Sequence, residues 1–253
     1  MSQGGLTGLR TLITGGSSGI GSATAALMSG AGASVAVIDV AAAHMAHVLF
    51  EPADITDTTA VATAVAACVG HLGGLDVLVN CAGIGARGTI EDNDDDEWRH
   101  VFDVNVLGVA RVSRAALPAL RASEKASIVN VSSIVATLGL PDRALYAASK
   151  GAVHALTLAM AADLVRDGIR VNSVVPGTVD TPWVARLLAS AEDPVAERAA
   201  LEARQPHGRL VNPEEVASTI AFLASPAAAS ITGTAVAVDG GMTGLRLRGT
   251  QRG

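Results

Sequence analysis

The chain has 253 residues, 49% of them apolar and 17% charged, with a net charge of −6. High hydrophobicity with low charge excludes a disordered chain, and the acidic balance argues against a nucleic-acid binder, which carries a basic footprint. Aromatics are only 2%, so aliphatic side chains must fill the core.

In chain order, residues 9–14 predict a short buried strand. Glycines follow, and 20–29 shows an apolar helix pattern stopped by Gly30 and Gly32. Strands are expected at 34–38 and, weakly, at 48–50. A helix over 58–69 precedes a fourth strand at 75–80. Residues 95–120 predict one helix with acids at its start, and 127–131 a strand. Residues 146–165 predict a long, almost wholly apolar helix, and 169–175 another strand. Asn212, Pro213 and Glu215 have the spacing of a capped helix start, so 213–224 is helical; 235–238 is the last strand. Residues 182–211 form an irregular insertion. Within it 185–189 and 196–203 are helical in pattern, broken at Asp193-Pro194.

Alternating strands and helices, with strands that are continuous apolar runs, predict an α/β fold. It is a Rossmann-like doubly wound parallel sheet of about seven strands with helices on both faces. No linker, repeat or low-complexity tract interrupts it, so 1–253 reads as one domain, with a substrate lid at about 182–211. Cys68 and Cys81 give no disulfide framework, and the first ten residues lack a secretory pattern. Gly and Ser residues spoil the uncharged stretch 11–38 as a membrane span. The expectation is a cytoplasmic protein with a small-molecule substrate and neither membrane nor nucleic-acid partners.

Three groupings carry chemistry. Thr14-Gly15-Gly16-Ser17-Ser18-Gly19-Ile20-Gly21 joins the first strand to the first helix. Glycines let the backbone approach a diphosphate, the helix start offers free N–H donors, and Ser17 and Ser18 add hydroxyls. Taken alone, an ordinary glycine-rich loop has the same look. Asp39 ends the second strand, 18 residues after Gly21, where a carboxylate accepts from an adenosine ribose and repels a 2′-phosphate. A solvated loop Asp is the bland alternative. Finally, of 18 basic side chains only Lys125 and Lys150 are lysines, and Lys150 lies four residues after the only tyrosine, Tyr146. A phenol of pKa about 10 needs roughly 4 kcal/mol of help to act as a base near neutrality, which one cation about 4 Å away supplies at an effective dielectric near 20.

These groupings, with Asn80-Cys81-Ala82-Gly83, Asn105, Ser133, Tyr146-Ala-Ala-Ser-Lys150 and Pro176-Gly177, occur in the order of the short-chain dehydrogenase/reductase family. The chain resembles that family from Leu6 to Thr243. The resemblance implies Tyr146 as acid/base, Lys150 as its activator and ribose ligand, and Ser133 as donor to the substrate oxygen. Ser132 is the competing serine; the spacing to Tyr146 favours Ser133. Asn105 would carry a relay water. Gly15, Ser17, Ser18, Gly19, Ile20 and Asp39 would hold the dinucleotide, Asp54 and Ile55 would bracket its adenine, and Asn80, Ala82 and Gly83 would line the adenosine side. Pro176, Gly177, Val179 and Thr181 would hold the carboxamide. Cys81 stands where the family usually has a second Asn, and the 39–54 stretch is shorter than usual. The implied activity is hydride transfer between NAD, preferred over NADP, and a secondary alcohol or ketone such as a sugar or polyol. The implied assembly is a homotetramer or homodimer through the 146–165 helix. Alternatives are an NADPH-dependent 3-oxoacyl-thioester reductase, against which Asp39 speaks, and a nucleotide-binding regulator without turnover, which would commonly have lost Tyr or Lys.

The acids between Glu91 and Glu97 read as a solvated helix start, and the six histidines, His44 and His47 among them, show no H-x-x-x-H spacing, so no metal is expected. Arg87, Arg143 and Trp183 fall near the expected crevice, as substrate contacts or as surface residues.

Overall fold

The computed structural model describes residues 5–42, 45, 47–189 and 191–247. Seven short apolar segments pair in one sheet: β1 (Arg10–Thr14), β2 (Ser34–Asp39), β3 (Val48–Pro52), β4 (Val77–Asn80), β5 (Ser127–Val131), β6 (Arg170–Pro176) and β7 (Ala235–Val238). Their order is β3-β2-β1-β4-β5-β6-β7, and every pairing is parallel. The order reverses between β1 and β4, so the loops leaving those strands diverge and open a crevice at the carboxyl edge.

Helices cover both faces, which is why the strands are apolar on both sides. On one face Leu12, Leu78, Ile128 and Val171 pack against α2 (Thr58–Leu72), α4 (Gly108–Arg121) and α5 (Ala144–Leu164). On the other, Ile13, Val37, Val79 and Val129 pack against α1 (Gly19–Gly30) and α8 (Pro213–Ala224). Each fully buried Leu or Ile stabilises the fold by about 1.5–3 kcal/mol. The helix starts are written in acids and amides. Asp57 Oδ1 accepts from Thr59 N and Ala60 N at 2.8 and 3.0 Å, and Glu215 accepts from Asn212 N at 2.8 Å.

The long helix predicted over 95–120 is divided. It comprises α3 (Asp95–Phe102), a π turn (Asp103–Leu107) and α4. Asn105, in the wide turn, is buried and bonded to the neighbouring β4 loop, a tertiary demand that 3.6-residue periodicity does not record. The helix predicted from Tyr146 starts earlier, at Ala144. Short 3-10 turns at Ile134–Ala136, Val165–Asp167 and Pro226–Ala228 went unpredicted because three residues carry no period.

In the 182–211 insertion, α6 (Pro182–Ala189) and α7 (Pro194–Ala203) flank the expected break, where Asp193 caps α7 through Val195 N and Ala196 N, both at 3.0 Å. Their shared core is small: Val184, Leu188, Leu201 and Leu210. Both ends are pinned, because Val211 N donates to Thr178 O and Asp180 N to Val211 O, each at 2.9 Å. Ser190 and His44 lie outside the described residues. Among the described residues no helix is long and apolar enough to cross a membrane.

Candidate active site

The β1–α1 turn is built by close approach. A Cβ on Gly21 would lie 2.1 Å from Gly15 O, and one on Gly15 2.6 Å from the Ala82 Cα. The turn is therefore pressed against the β4 loop, and Thr14 Oγ1 accepts from Cys81 N and Ala82 N at 3.2 Å. Ser17 N donates to Asp39 Oδ2 at 3.0 Å, which fixes the carboxylate beside the turn. Ser17 Oγ is buried and unpartnered, and the Ser18 side chain makes no capping bond although it occupies the N-cap of α1. A glycine cradle with an orphaned hydroxyl at a helix start fits a diphosphate-bearing dinucleotide. Gly19 faces Thr181 across the crevice, and Ile20 packs partly into the core.

Other sequence-singled residues do different work. Asp54 Oδ1 accepts from Thr56 N and Thr56 Oγ1 at 2.8 Å, and these bonds hold its carboxyl below the usual range. Ile55 is buried against Gly108. Asn80 is buried too; its amide donates to Asn130 Oδ1 at 2.9 Å and Ser113 Oγ at 3.1 Å, so the side chain ties β4 to β5 and α4. Pro176 ends β6, Gly177 N donates to Val238 O at 3.0 Å, and Val179 is buried.

At the other end the structure brings Ser133, Tyr146, Lys150, Asn105 and Gly83 together. Tyr146 and Lys150 lie one turn apart on α5, with Lys150 Nζ 5.9 Å from the phenol ring centre. Lys150 Nζ donates to Val131 O at 2.9 Å, and Ser132 Oγ donates to Lys150 O at 3.1 Å. That bond commits Ser132 to the helix. The next serine, Ser133, accepts from Val135 N at 3.4 Å, and its hydroxyl is near enough to Tyr146 to favour the phenolate. Asn105 Oδ1 accepts from Ile84 N at 2.8 Å, and its Nδ2 donates to Ile84 O at 2.9 Å and Ser149 Oγ at 3.0 Å. A Cβ on Gly83 would lie 3.1 Å from Asn105 Oδ1 and 3.3 Å from Lys150 Nζ, so only glycine leaves this space open.

The electrostatics differ from a simple charge pair. Burial pushes the Tyr146 phenol above its ordinary value, opposed by the nearby Ser133 hydroxyl and by the positive charge of Arg143. Burial pulls Lys150 down to about 8, and burial pushes the neighbouring Cys81 thiol up to about 12, an unreactive neutral group. Sequence reasoning missed two partners. Ser149, inside the Tyr-Ala-Ala-Ser-Lys run, donates to Tyr146 O at 2.8 Å and holds Asn105; Gln205, buried at the end of α7, donates to Thr178 O at 3.2 Å and Arg209 O at 2.7 Å. A serine inside the Tyr-x-x-x-Lys run is the signal for Ser149; Gln205 has none.

A family model described as enoyl-(acyl carrier protein) reductase matches residues 15–243. The chain is 42% identical to cis-4-hydroxycyclohexanecarboxylate dehydrogenase of Sinomonas cyclohexanicum, over 92% of this chain and 96% of that protein. It is 38% identical to 2-(S)-hydroxypropyl-CoM dehydrogenase 3 of Xanthobacter autotrophicus, over 92% and 96% respectively. Its fold matches the ligand-free aldohexose dehydrogenase of Thermoplasma acidophilum with a TM-score of 0.90 and 34% identity, covering 97% of this chain and 98% of that one.

Proposed function

The chain belongs to the short-chain dehydrogenase/reductase family, and from that premise we propose that it is an NAD-dependent oxidoreductase that interconverts a secondary alcohol and its ketone. The reading is carried by one observation: Tyr146 and Lys150 one helical turn apart, with Lys150 Nζ 5.9 Å from the phenol ring and facing the open space at Gly83, in a chain whose first β–α turn is a glycine cradle. The bound nicotinamide supplies the carbon that accepts or returns hydride. Ser133 Oγ orients the substrate oxygen and steadies charge developing there. Tyr146 takes the hydroxyl proton during oxidation and returns it during reduction. Lys150, protonated, favours the phenolate and would hold the nicotinamide ribose. Asn105 has spent both amide protons, which leaves an acceptor position on Oδ1, facing Gly83 and Lys150, for a water that carries the proton onward.

Asp39 supports NAD over NADP, because its carboxylate is held at the turn and would face a 2′-phosphate. The test is kcat/KM with each cofactor on one working substrate. NAD should win clearly, and Asp39→Ala should narrow the gap; equal values with wild type would refute the assignment. A relative named 3-oxoacyl-[acyl-carrier-protein] reductase in Thermotoga maritima, 36% identical over 94% of this chain, favours a second reading, reduction of a 3-oxoacyl thioester. It would be preferred if acetoacetyl thioester with NADPH outran every alcohol with NAD.

A further inference from the structure

The indole of Trp183 reaches across the crevice. Trp183 is the second residue of α6. Two residues earlier, Thr181 lies against the glycine cradle, with its Cγ2 3.2 Å from where a Cβ on Gly19 would be, and Thr181 O accepts from Ala185 N at 2.9 Å in the first turn of the helix. The indole itself lands on Gly85, in the loop after β4. A Cβ there would lie 2.5 Å from Cζ2, 3.0 Å from Cε2 and 3.3 Å from Nε1, so the ring is seated where only glycine leaves room. That loop is held in place: Asn105 bonds both the N–H and the carbonyl of Ile84, and its amide also donates to Ser149 on α5. Gly83, two residues before Gly85 and so within about 7 Å of it, borders Lys150 Nζ. Trp183 therefore spans from the β1–α1 turn to the loop beside Tyr146 and Lys150.

The side chains around the Tyr146 phenol are apolar and incompletely covered. Tyr146 packs against two apolar clusters. One carries Ile84 from the loop after β4; the other carries Leu138 and Leu140 from the loop after β5 and Met242 from the C-terminal segment. Each of these four is only partly buried, and Trp183 is 42% exposed. The one polar atom of the indole, Nε1, is on the side turned toward Gly85, so what the ring offers elsewhere is carbon. The charged side chains at the start of α5 are engaged already: Lys150 Nζ donates to Val131 O at 2.9 Å and Arg143 to Asp142 O at 2.7 Å. Partly covered apolar area next to a few polar groups is how small-molecule pockets are lined, the polar groups orienting the ligand and the apolar walls holding it. A ring with a hydroxyl on every carbon would leave those hydroxyls unpaired against such walls.

We propose that Trp183, closed on Gly85, is the wall that selects the substrate: the secondary alcohol or ketone carries an apolar ring or alkyl group that packs on the indole, and polyhydroxylated substrates are disfavoured. This rests on the oxidoreductase reading of the same site. Trp183 acts in binding and not in proton transfer, so its loss raises KM and leaves kcat little changed.

The experiment compares cyclohexanol with myo-inositol, the same carbon ring with a hydroxyl on every carbon, by kcat/KM with NAD. In parallel, calorimetry measures cyclohexanone binding to NAD-loaded enzyme, a combination that cannot turn over. Cyclohexanol should be preferred by at least about tenfold, as expected for burying about two methylene groups on the indole. Trp183→Ala should raise KM for cyclohexanol and weaken cyclohexanone binding, each by about tenfold, with NAD affinity nearly unchanged, and Trp183→Phe should keep most of both. A cyclohexanol with a tert-butyl group on the opposite carbon should gain on cyclohexanol in Trp183→Ala, because its bulk fills the space the indole leaves. Gly85→Ala, which displaces the indole without removing it, should weaken cyclohexanone binding in the same way. Val195→Ala, at an exposed position on α7, should change none of these quantities. Equal kcat/KM for the two rings, no binding of cyclohexanone to wild type, or binding unchanged in Trp183→Ala overturns the wall, whichever alcohols the enzyme oxidises. Trp183-dependent binding of cyclohexanone with no turnover of any alcohol keeps the wall and overturns the oxidoreductase reading.

Discussion

At the residue scale, Lys150 is an ammonium housed at a cost in stability. Its folded pKa of about 8 lies below its ordinary 10.5 because the ammonium is buried beneath the crevice. Between those values the unfolded chain holds the additional proton, so stability rises with pH across roughly 8 to 10.5, and below about 8 the full penalty stands. At about 1.36 kcal/mol per unit the penalty is on the order of 3 kcal/mol, less about 1 kcal/mol for the bond to Val131 O. Lys150→Met should therefore abolish turnover yet stabilise the protein by about 1–2 kcal/mol at pH 7, with the gain gone by about pH 10.5. Thermal or urea unfolding across that range checks it; a variant less stable than wild type at pH 7 would show that the ammonium is favourably housed. Tyr146 and Lys150 were legible in the sequence because a rare residue pair at i,i+4 on an apolar helix calls for a reason. The carbonyl that holds Lys150 and the Asn80–Asn130 bond were not, because they join residues 19 and 50 positions apart and leave no local pattern.

At the element scale, the β–α alternation was readable because each strand is an apolar run and each helix start carries its cap. The π turn was not, since its cause lies in the β4 loop and not in residues 103–107 themselves. The same scale bears on the insertion. The pair α6 and α7 is held by four buried apolar residues and pinned at its base, while Trp183 at the start of α6 lies against Gly85, where a Cβ would meet the indole at 2.5 Å. A small core over a crevice is the low-stability end of a protein, suited to opening for exchange and closing to exclude water. Hydrogen exchange in α6 and α7 should be fast in the free protein and slow by about tenfold or more when NAD and substrate are both present. Equal protection with and without ligands would make the pair a fixed ornament of the fold. A second expectation concerns the turn: Gly21→Ala would put a methyl 2.1 Å from Gly15 O, so NAD binding should be lost even where the fold survives. Calorimetric titration with NAD checks it, and wild-type affinity in this variant would remove the turn from the cofactor site.

For the whole molecule, α5 has two faces. Val153, Thr157, Ala161 and Leu164 turn inward, and Ala148, Ala155, Leu158, Ala159 and Ala162 turn outward, with Leu158 46% exposed. A helix apolar on both faces needs a partner on the outer one. A homodimer or homotetramer at micromolar concentration is therefore expected in light scattering, and Leu158→Arg should shift it toward smaller species; a monomeric wild type would contradict the expectation. All of these consequences depend on the site being a working dehydrogenase. The most direct measurement of that claim is the initial rate of NADH formation from sugars, polyols and secondary alcohols, for wild type and Tyr146→Phe side by side, with NAD affinity measured for both. Turnover of at least one class by wild type, a loss of about 100-fold or more in Tyr146→Phe, and nearly intact NAD binding are predicted. NAD binding without turnover across the panel, or a Tyr146→Phe variant retaining more than about a hundredth of the rate, would contradict it.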